Sequence, residues 1–259
     1  MAFNPPIGHW SGRRVWIIGA STGIGAALAR RLAAAGARVA LSARSREKLD
    51  ALAAELPQAL VLPLDVRSAD QQGQAYARIK QAWGAADLVI FNAGTYSPMR
   101  AAAFDLASMD EHFAINYHGV VNGLAAVLPD FLARDREAPA LAIVSSVAGF
   151  RGLPAALAYG PSKAALINLA ETLYLDLSPR GIGVFLITPG FVDTPLTKQN
   201  EFKMPALISA DQAATEIIKG FARGDFDMHF PKRFTRWLKV LRLLPYALYF
   251  RAVRKMTGL

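Results

Sequence analysis

The strongest constraint on the fold of this chain is a regular alternation of short apolar runs with longer stretches rich in Ala and Leu. Runs such as LVIF, LAIV and VFLI are continuously apolar, as the strands of a parallel sheet must be when helices cover both of its faces. The stretches between them, for example residues 24–35, consist of strong helix formers. The pattern therefore predicts strands and helices in strict succession.

The boundaries of these runs give the order of the elements. Predicted strands cover residues 14–19, 38–42, 59–64, 87–92, 141–145, 183–188 and 226–230. Predicted helices cover residues 24–35, 46–56, 68–82, 108–132, 155–177 and 211–223. Such repeats, joined by right-handed crossovers, predict an α/β fold with a doubly wound, Rossmann-type parallel sheet of about seven strands. Because composition does not change before residue 230, we expect one domain over residues 1–230.

The last 29 residues differ from this body in charge. They carry eight of the 29 basic residues and no acid, which leaves 21 basic and 20 acidic residues in the first 230. The net charge of +9 is therefore a property of the tail, and it does not indicate that the whole protein binds nucleic acid. We expect residues 231–259 to form a basic, amphipathic helical extension, broken at Pro245.

The helical pattern of the tail has two interpretations. Five apolar residues share one predicted face, and five basic residues occupy the other. The apolar face consists of Phe234, Trp237, Leu238, Leu241 and Leu244, and the basic face of Lys232, Arg233, Arg236, Lys239 and Arg242. Val240 and Leu243 violate this division. Such a helix fits an anionic membrane surface, or its apolar face docks on the domain or on a second subunit.

Composition excludes several kinds of site. The chain has no Cys, which rules out disulfides, thiolate metal sites and Cys nucleophiles. The four histidines form no ligand-spaced cluster with acids, so we expect no metal site. Residues 1–10 lack the apolar run of a secretory signal, and no long apolar stretch predicts a membrane span. The expected compartment is the cytoplasm, with peripheral membrane contact if the tail binds lipid.

A glycine-rich segment, residues 19–25, connects the first predicted strand to the first helix. Glycines there allow a tight turn and close approach of a pyrophosphate to the helix N-terminus, although a turn without a ligand is the alternative. The second strand ends at Arg44 and Ser45, where an acid would bind an adenosine 2′-hydroxyl and an Arg favours a 2′-phosphate. We therefore favour NADP(H) over NAD(H), although Arg44 alone is also compatible with a solvated charge.

Further polar groups follow other strands. Asn92-Ala93-Gly94, Ser145-Ser146 and Pro189-Gly190 lie at strand ends that meet at one edge of a parallel sheet. Tyr159 and Lys163 are four residues apart and share one face of a helix. A Lys cation lowers the pKa of a neighbouring phenol, which prepares it for general acid–base chemistry. Alone, such a pair is more often a surface contact.

Seven motifs in this order resemble the short-chain dehydrogenase/reductase family. They are GASTGIG (19–25), LDV (64–66), FNAG (91–94), IN (115–116), VSS (144–146), YGPSK (159–163) and PGFVDT (189–194). Two departures are visible. Phe91 stands where the family usually has a second Asn, and Thr22 stands where many NADP-preferring members have a basic residue.

The resemblance implies an enzyme that transfers hydride between NAD(P) and a carbonyl or secondary alcohol. The implied catalytic residues are Asn116, Ser146, Tyr159 and Lys163. Tyr159 exchanges the proton, Ser146 polarises the substrate oxygen, Lys163 lowers the pKa of Tyr159, and Asn116 holds a relay water. The implied cofactor contacts are Gly19, Ser21, Thr22, Gly23, Ile24, Gly25, Arg44, Ser45, Asp65, Val66, Asn92, Ala93, Gly94, Tyr159, Lys163, Pro189, Gly190, Val192 and Thr194.

The substrate is expected to be apolar or lipid-like, because the segments beside the implied site are rich in apolar side chains. These are Phe150, Leu153 and Leu157 before Tyr159, and Phe191, Leu196, Phe202, Met204 and Leu207 after the last strand. Packing against the sheet is the alternative for Leu153 and Leu157. We expect a homodimer or homotetramer and no nucleic-acid partner. The competing hypothesis is a non-catalytic scaffold that binds a dinucleotide, a membrane or nucleic acid.

Overall fold

The computed structural model of the protein describes residues 2–134, 138–199 and 204–258. The strands are β1 (Arg14–Ile18), β2 (Arg38–Ser42), β3 (Leu60–Val61), β4 (Leu88–Phe91), β5 (Ala140–Val144), β6 (Gly183–Pro189), β7 (Val192–Asp193), β8 (Ile208–Ser209) and β9 (Asp227–Phe230). The helices are α1 (Gly23–Ala34), α2 (Arg46–Ala53), α3 (Ala69–Trp83), α4 (Leu106–His112), α5 (Gly119–Ala133), α6 (Tyr159–Leu177), α7 (Ala210–Arg223), α8 (Lys232–Leu243) and α9 (Tyr246–Thr257).

The described strands form a seven-stranded sheet in the order β3-β2-β1-β4-β5-β6-β9, in which each neighbouring pair is parallel. β7 and β8 pair separately. The order of the strands reverses between β1 and β4, so the connections leave these two strands toward opposite sides and open a crevice at their carboxyl ends. The predicted doubly wound sheet is confirmed.

Both faces of the sheet are covered, which explains the continuously apolar strands. Along β1, Val15 and Ile17 pack into one hydrophobic core with residues of α1 and α7. Trp16 and Ile18 point to the opposite core, which α3, α5 and α6 help to build. Successive side chains of a strand alternate between faces, so a strand with two buried faces is mostly apolar, and its few polar residues, such as Ser42 and Thr188, are buried with hydrogen-bond partners.

The predicted helix over residues 108–132 is interrupted. The chain forms α4, then a π-helical segment over Phe113–His118, and then α5. A π-helical turn inserts an extra residue and shifts the faces of the helix on either side of it. Hydrophobic periodicity did not reveal this interruption, because the residues on both sides continue to be good helix formers.

The predicted helix over residues 155–177 begins four residues late, at Tyr159. Ala155 has a left-handed backbone with φ +57°, and Met99 forms an isolated bridge with Ala156. Pro161 favours this late start, since proline costs least in the first turn of a helix. The helix therefore places Tyr159 and Lys163 in its first two turns.

The tail forms α8 and α9, separated at Pro245 as predicted, and one side of it docks on the domain. Phe234 lies against Phe191, with ring centroids 5.6 Å apart. The Arg151 guanidinium donates hydrogen bonds to three carbonyls near the end of α8, of which Leu244 O is nearest at 2.6 Å. The same guanidinium covers the Tyr249 ring at 4.0 Å, and the Tyr249 hydroxyl donates to Gly152 O at 2.7 Å.

Only part of the predicted apolar face of α8 contacts the domain. Phe234, Leu238 and Leu241 are half-buried, but Trp237 is 71% exposed. The helix is rotated so that Thr235 is fully buried, and its hydroxyl lies 2.6 Å from Nδ1 of His229 on β9. This polar contact, which a hydrophobic pattern does not register, turns Trp237 toward solvent.

Candidate active site

A cleft of about 810 Å³ lies at the carboxyl ends of β1, β4, β5 and β6. This volume is within the range of small-molecule and cofactor sites. All of the implied catalytic and cofactor-binding residues line it except Gly25 and Asn116, which are buried behind its wall. The predicted lining residues are Gly19, Ser21, Thr22, Gly23, Ile24, Arg44, Ser45, Asp65, Val66, Asn92, Ala93, Gly94, Ser146, Tyr159, Lys163, Pro189, Gly190, Val192 and Thr194.

The loop after β1 passes so close to the end of β4 that two positions require glycine. Gly19 has φ +92°, and a Cβ there would lie 2.4 Å from the Ala93 nitrogen. A Cβ at Gly25 would lie 2.1 Å from the Gly19 carbonyl oxygen. The Asn92 side chain donates a hydrogen bond to that same oxygen at 2.7 Å. Asn92 thus fixes the loop in addition to lining the cleft.

The N-terminus of α1 opens into this cleft. Thr22 is its N-cap residue, and within the described structure its side chain makes no capping hydrogen bond to the helix. The first turn of a helix has free N–H groups and the positive end of the helix dipole. Backbone donors beside a glycine loop are suited to a pyrophosphate, so this end of the cleft fits a dinucleotide.

The part of the cleft at the end of β2, beside the glycine loop, is basic. Arg44 and Ser45 line it together with Lys48, which sequence reasoning missed. Ser45 caps α2 by accepting a hydrogen bond from the Lys48 nitrogen at 3.3 Å, and this turn brings the lysine toward the cleft. The sequence could have indicated Lys48, because it lies one helical turn after Ser45, the predicted cofactor contact directly before the second helix. Asp65 is paired with Arg67, whose hydrogen bonds keep the pKa of that carboxyl low.

Lys163 is buried beneath the cleft, with 4% of its surface exposed. Its Nζ donates to the Val144 carbonyl at 3.0 Å, and the Ser145 hydroxyl donates to the Lys163 carbonyl at 2.7 Å. Burial disfavours the charged amine and lowers the pKa of Lys163 to about 8. The amine therefore holds its proton at neutral pH and loses it in mildly alkaline solution.

Tyr159 does not have the acidified phenol that we predicted. Burial raises the pKa of Tyr159 to about 12, a hydrogen bond with the Ser146 side chain lowers it, and the nearby Tyr96 raises it. The Lys163 Nζ lies 5.7 Å from the centre of the Tyr159 ring and bonds to the Val144 carbonyl. Desolvation therefore outweighs the stabilisation that we expected from the ammonium group, and the phenol remains protonated at neutral pH.

Asn116 lies in the π-helical segment and is fully buried. Its side-chain oxygen accepts from the Thr95 nitrogen at 2.8 Å, and its amide donates to the Thr95 carbonyl and the Ser162 hydroxyl. A Cβ at Gly94 would lie 3.3 Å from its oxygen and 3.5 Å from the Lys163 Nζ. The Asn116 side chain thus positions the loop after β4 against α6, and the implied relay water stays a prediction.

Two rings beside Tyr159 were missed by sequence reasoning. Tyr96 meets the Tyr159 ring edge-on at 5.0 Å, and His112 lies 6.4 Å from it. His112 is buried, accepts from the Ser97 nitrogen at 3.0 Å, and contacts the Ser108 carbonyl through Nδ1. The single continuous helix predicted over residues 108–132 gave this histidine no place beside Tyr159. The interruption of the helix directly after His112 explains why periodicity misplaced it.

The apolar residues predicted for the substrate side have different positions. Phe150 is buried in the core, and Phe191 lies against Phe234 of the tail. Leu196 lines the cleft, whereas Leu157 and Leu207 are exposed. Phe202 lies outside the described residues. Phe150 is therefore removed from the predicted substrate surface, because the sheet and Lys239 of α8 cover it.

The chain resembles known proteins in sequence. The family model described as short chain dehydrogenase matches residues 13–204. An uncharacterized oxidoreductase of Myxococcus xanthus is 36% identical over 248 residues, which cover 94% of this chain and 97% of that protein. A dehydrogenase/reductase SDR family protein 7-like of Anopheles gambiae is 29% identical, over 95% of this chain and 84% of its own.

Solved structures share the fold. A short chain dehydrogenase from Burkholderia cenocepacia in complex with NADP has a TM-score of 0.82 and 24% identity, covering 94% of this chain and 98% of that one. A short chain dehydrogenase/reductase from Burkholderia phymatum in complex with NAD has a TM-score of 0.81 and 23% identity, covering 90% and 94%. Since the family model spans most of the chain and the Myxococcus relative nearly all of it, this protein belongs to the short-chain dehydrogenase/reductase family of oxidoreductases.

Proposed function

We propose that this protein transfers hydride between NADP(H) and a carbonyl or secondary alcohol of an apolar substrate. The observation that carries the proposal is that Ser146, Tyr159 and the buried Lys163 line one cleft, with Lys163 one helical turn after Tyr159 and the Ser146 side chain close enough to lower the pKa of the phenol. A glycine loop and a helix N-terminus at the same cleft support a dinucleotide cofactor. Structural neighbours with NAD and NADP are in accord with this choice.

Each residue has a chemical task in this proposal. The bound cofactor supplies or accepts the hydride at its nicotinamide ring. Ser146 and Tyr159 donate hydrogen bonds to the substrate oxygen, which stabilises the negative charge that develops there during reduction. Because its pKa lies well above neutrality, Tyr159 holds a proton that it can give to this oxygen. Lys163, as a cation, would hold the nicotinamide ribose and stabilise the phenolate that remains when Tyr159 has given up its proton.

Replacement of Tyr159 by Phe removes the proton donor and leaves the ring. We expect kcat to fall by about 100- to 10,000-fold, the usual contribution of a positioned acid. Binding of NADPH, followed by fluorescence titration, should change by less than about twofold, since the phenol is one of many contacts in the cleft.

The matched control is Tyr246→Phe, which alters an exposed tyrosine of the tail. It should leave kcat unchanged. Full activity of the Tyr159→Phe protein would contradict the assignment of this residue as proton donor.

The pKa of Lys163, which burial lowers to about 8, predicts a pH dependence. The kcat/KM for NADPH reports groups of the free enzyme, and it should fall as the pH rises through about 8, because the neutral amine loses its attraction for an anionic cofactor. The rate should be independent of pH between about 6.5 and 7.5, where the amine is protonated.

The residual activity of a Lys163→Met variant should lack this alkaline decline. If the variant retained the same inflection near pH 8, another group would be responsible for it.

The preference for NADP(H) rests on the two cations at the basic end of the cleft. Arg44→Ala and Lys48→Ala should each weaken NADPH binding by about 10- to 100-fold, the effect of losing one charge-assisted hydrogen bond to a phosphate. Binding of NADH should change by less than about threefold, because a 2′-hydroxyl offers no charge to these residues.

The control is Arg46→Ala, which removes a neighbouring exposed cation that pairs with Asp50. It should leave the affinities for both cofactors nearly unchanged. Equal losses for NADH and NADPH in the Arg44 variant would contradict NADP(H) selectivity.

An apolar substrate is supported by the groups around Tyr159. Tyr96 packs edge-on against it, Leu196 lines the cleft, and Leu157 and Leu207 leave apolar surface exposed on adjoining segments. In a kinetic panel of carbonyl compounds, kcat/KM should rise with chain length along a series of aliphatic ketones, by up to about fourfold per buried methylene. A preference for small polar sugars would contradict the proposal.

A further inference from the structure

We propose that the tail binds the protein peripherally to an anionic membrane through the outer face of α8, which consists of Arg233, Arg236, Trp237, Val240 and Leu243. The spacing of three and four residues places these side chains on one side of the helix. The proposal does not depend on the reaction that the cleft carries out. It concerns the face that remains outside when the tail is docked.

The outer face combines exposed apolar groups with cations. Trp237 is 71% exposed, Val240 54% and Leu243 83%, and both Arg233 and Arg236 are exposed. Single exposed apolar residues are normal on a protein surface. Here, however, three of them lie within two turns of one helix and form a continuous strip. A Trp at the edge of such a strip is suited to the boundary between hydrocarbon and headgroups.

The second helix of the tail has the same character. Tyr246, Leu248 and Phe250 are more than half exposed. Arg251 and Arg254 are exposed in the following turn. Residues 231–259 contain no acid, so no carboxylate within the tail repels an anionic surface. The only acid that pairs with a described tail cation is Asp227, which holds Lys239 beside the docked face.

The outer face points away from the domain because the opposite side of the tail is anchored to it. Arg151 binds the carbonyls at the end of α8 and covers the rings of Tyr246 and Tyr249. Phe234 lies against Phe191, and Val253 of α9 is buried. The apolar strip is thus presented in a folded state, and it does not need to leave the domain in order to bind lipid.

Other occupants fit this face less well. Two copies of the chain that met through it would bring four arginines, Arg233 and Arg236 of each copy, into one interface to which the tail contributes no acidic side chain. The phosphates of a nucleic acid would pair with the arginines, but they would leave Val240 and Leu243 without an apolar environment. An anionic bilayer offers partners for both kinds of side chain. The cations pair with lipid phosphates, and the aliphatic side chains enter the boundary between headgroups and acyl chains.

The membrane contact would be superficial. Among the described helices, none is long and apolar enough to cross a bilayer. A helix is about 10–12 Å thick with its side chains, and the inner side of α8 touches Phe191, which directly follows the cleft residue Gly190. Binding through the outer face therefore brings this edge of the cleft to within about one helix diameter of the lipid.

The test is flotation of the full-length protein with vesicles of phosphatidylcholine alone or mixed with phosphatidylglycerol. We expect flotation with the anionic vesicles, little with the zwitterionic ones, and a decline as salt screens the charges. Arg233→Gln/Arg236→Gln should weaken binding about 25-fold, since each surface cation contributes about fivefold near an anionic bilayer. Trp237→Ser/Leu243→Ser should weaken it by at least about tenfold.

Matched controls lie elsewhere on the surface. Arg78→Gln/Arg180→Gln removes the same charge from two exposed sites, and Leu175→Ser replaces a leucine that is as exposed as Trp237. These variants should bind vesicles like the original protein. Every variant alters exposed side chains, and unchanged thermal unfolding should verify that each one is folded.

Three outcomes would overturn the proposal. The first is that the protein does not float with anionic vesicles. The second is that the control variants lose as much binding as the tail variants. The third is that Trp237→Ser/Leu243→Ser leaves vesicle binding intact but changes the molar mass in solution or the affinity for nucleic acid, which would assign the face to a second subunit or to that polymer.

Discussion

The close approach of the loop after β1 to the end of β4 is the contact on which the rest of the site depends. It exists because the order of the strands reverses between these two neighbours, which leaves their carboxyl ends uncovered. Gly19 packs against the Ala93 backbone, where a side chain would not fit, and the Asn92 side chain donates a hydrogen bond to the Gly19 carbonyl. The N-terminus of α1 and the segment that carries Ser146 therefore face the same cleft.

Burial sets the acid–base properties of this cleft more strongly than charge does. The pKa of Tyr159 is raised and the pKa of Lys163 is lowered for the same reason, which is that the charged form of each group loses hydration. A protonated phenol and a protonated amine then coexist at neutral pH. Such a pair can donate a proton to a substrate oxygen, and the charge of a bound dinucleotide would further favour the ammonium form.

The tail contacts two segments of the domain that lie next to the cleft. Arg151 lies in the segment between β5 and α6, and its guanidinium is the main anchor of the tail. Phe191, in the segment after β6, supplies the second contact. Because both segments border the residues that surround Tyr159, whatever binds the outer face of α8 lies close to the cleft in which we propose that an apolar substrate binds.

The amount that could be predicted from the sequence differs from one level of structure to the next. The succession of strands and helices was predictable because a strand with two buried faces is predominantly apolar. Once the strands were placed, the residues at their carboxyl ends could be identified, and the parallel sheet predicted that these residues share one cleft. Pro161 also favoured a position near the start of a helix for Tyr159, although the predicted helix began too early.

The sequence by itself determined the sheet, the glycine loop and the chemical identity of the groups that face the cleft, because these depend on local periodicity and on residue type. Only the tertiary structure decided the π-helical turn that buries Asn116, the contact of Tyr96 and His112 with Tyr159, and the position of Lys48. It also decided which side of α8 docks. These features depend on desolvation and on contacts between distant segments, and no pattern along the chain records either of them.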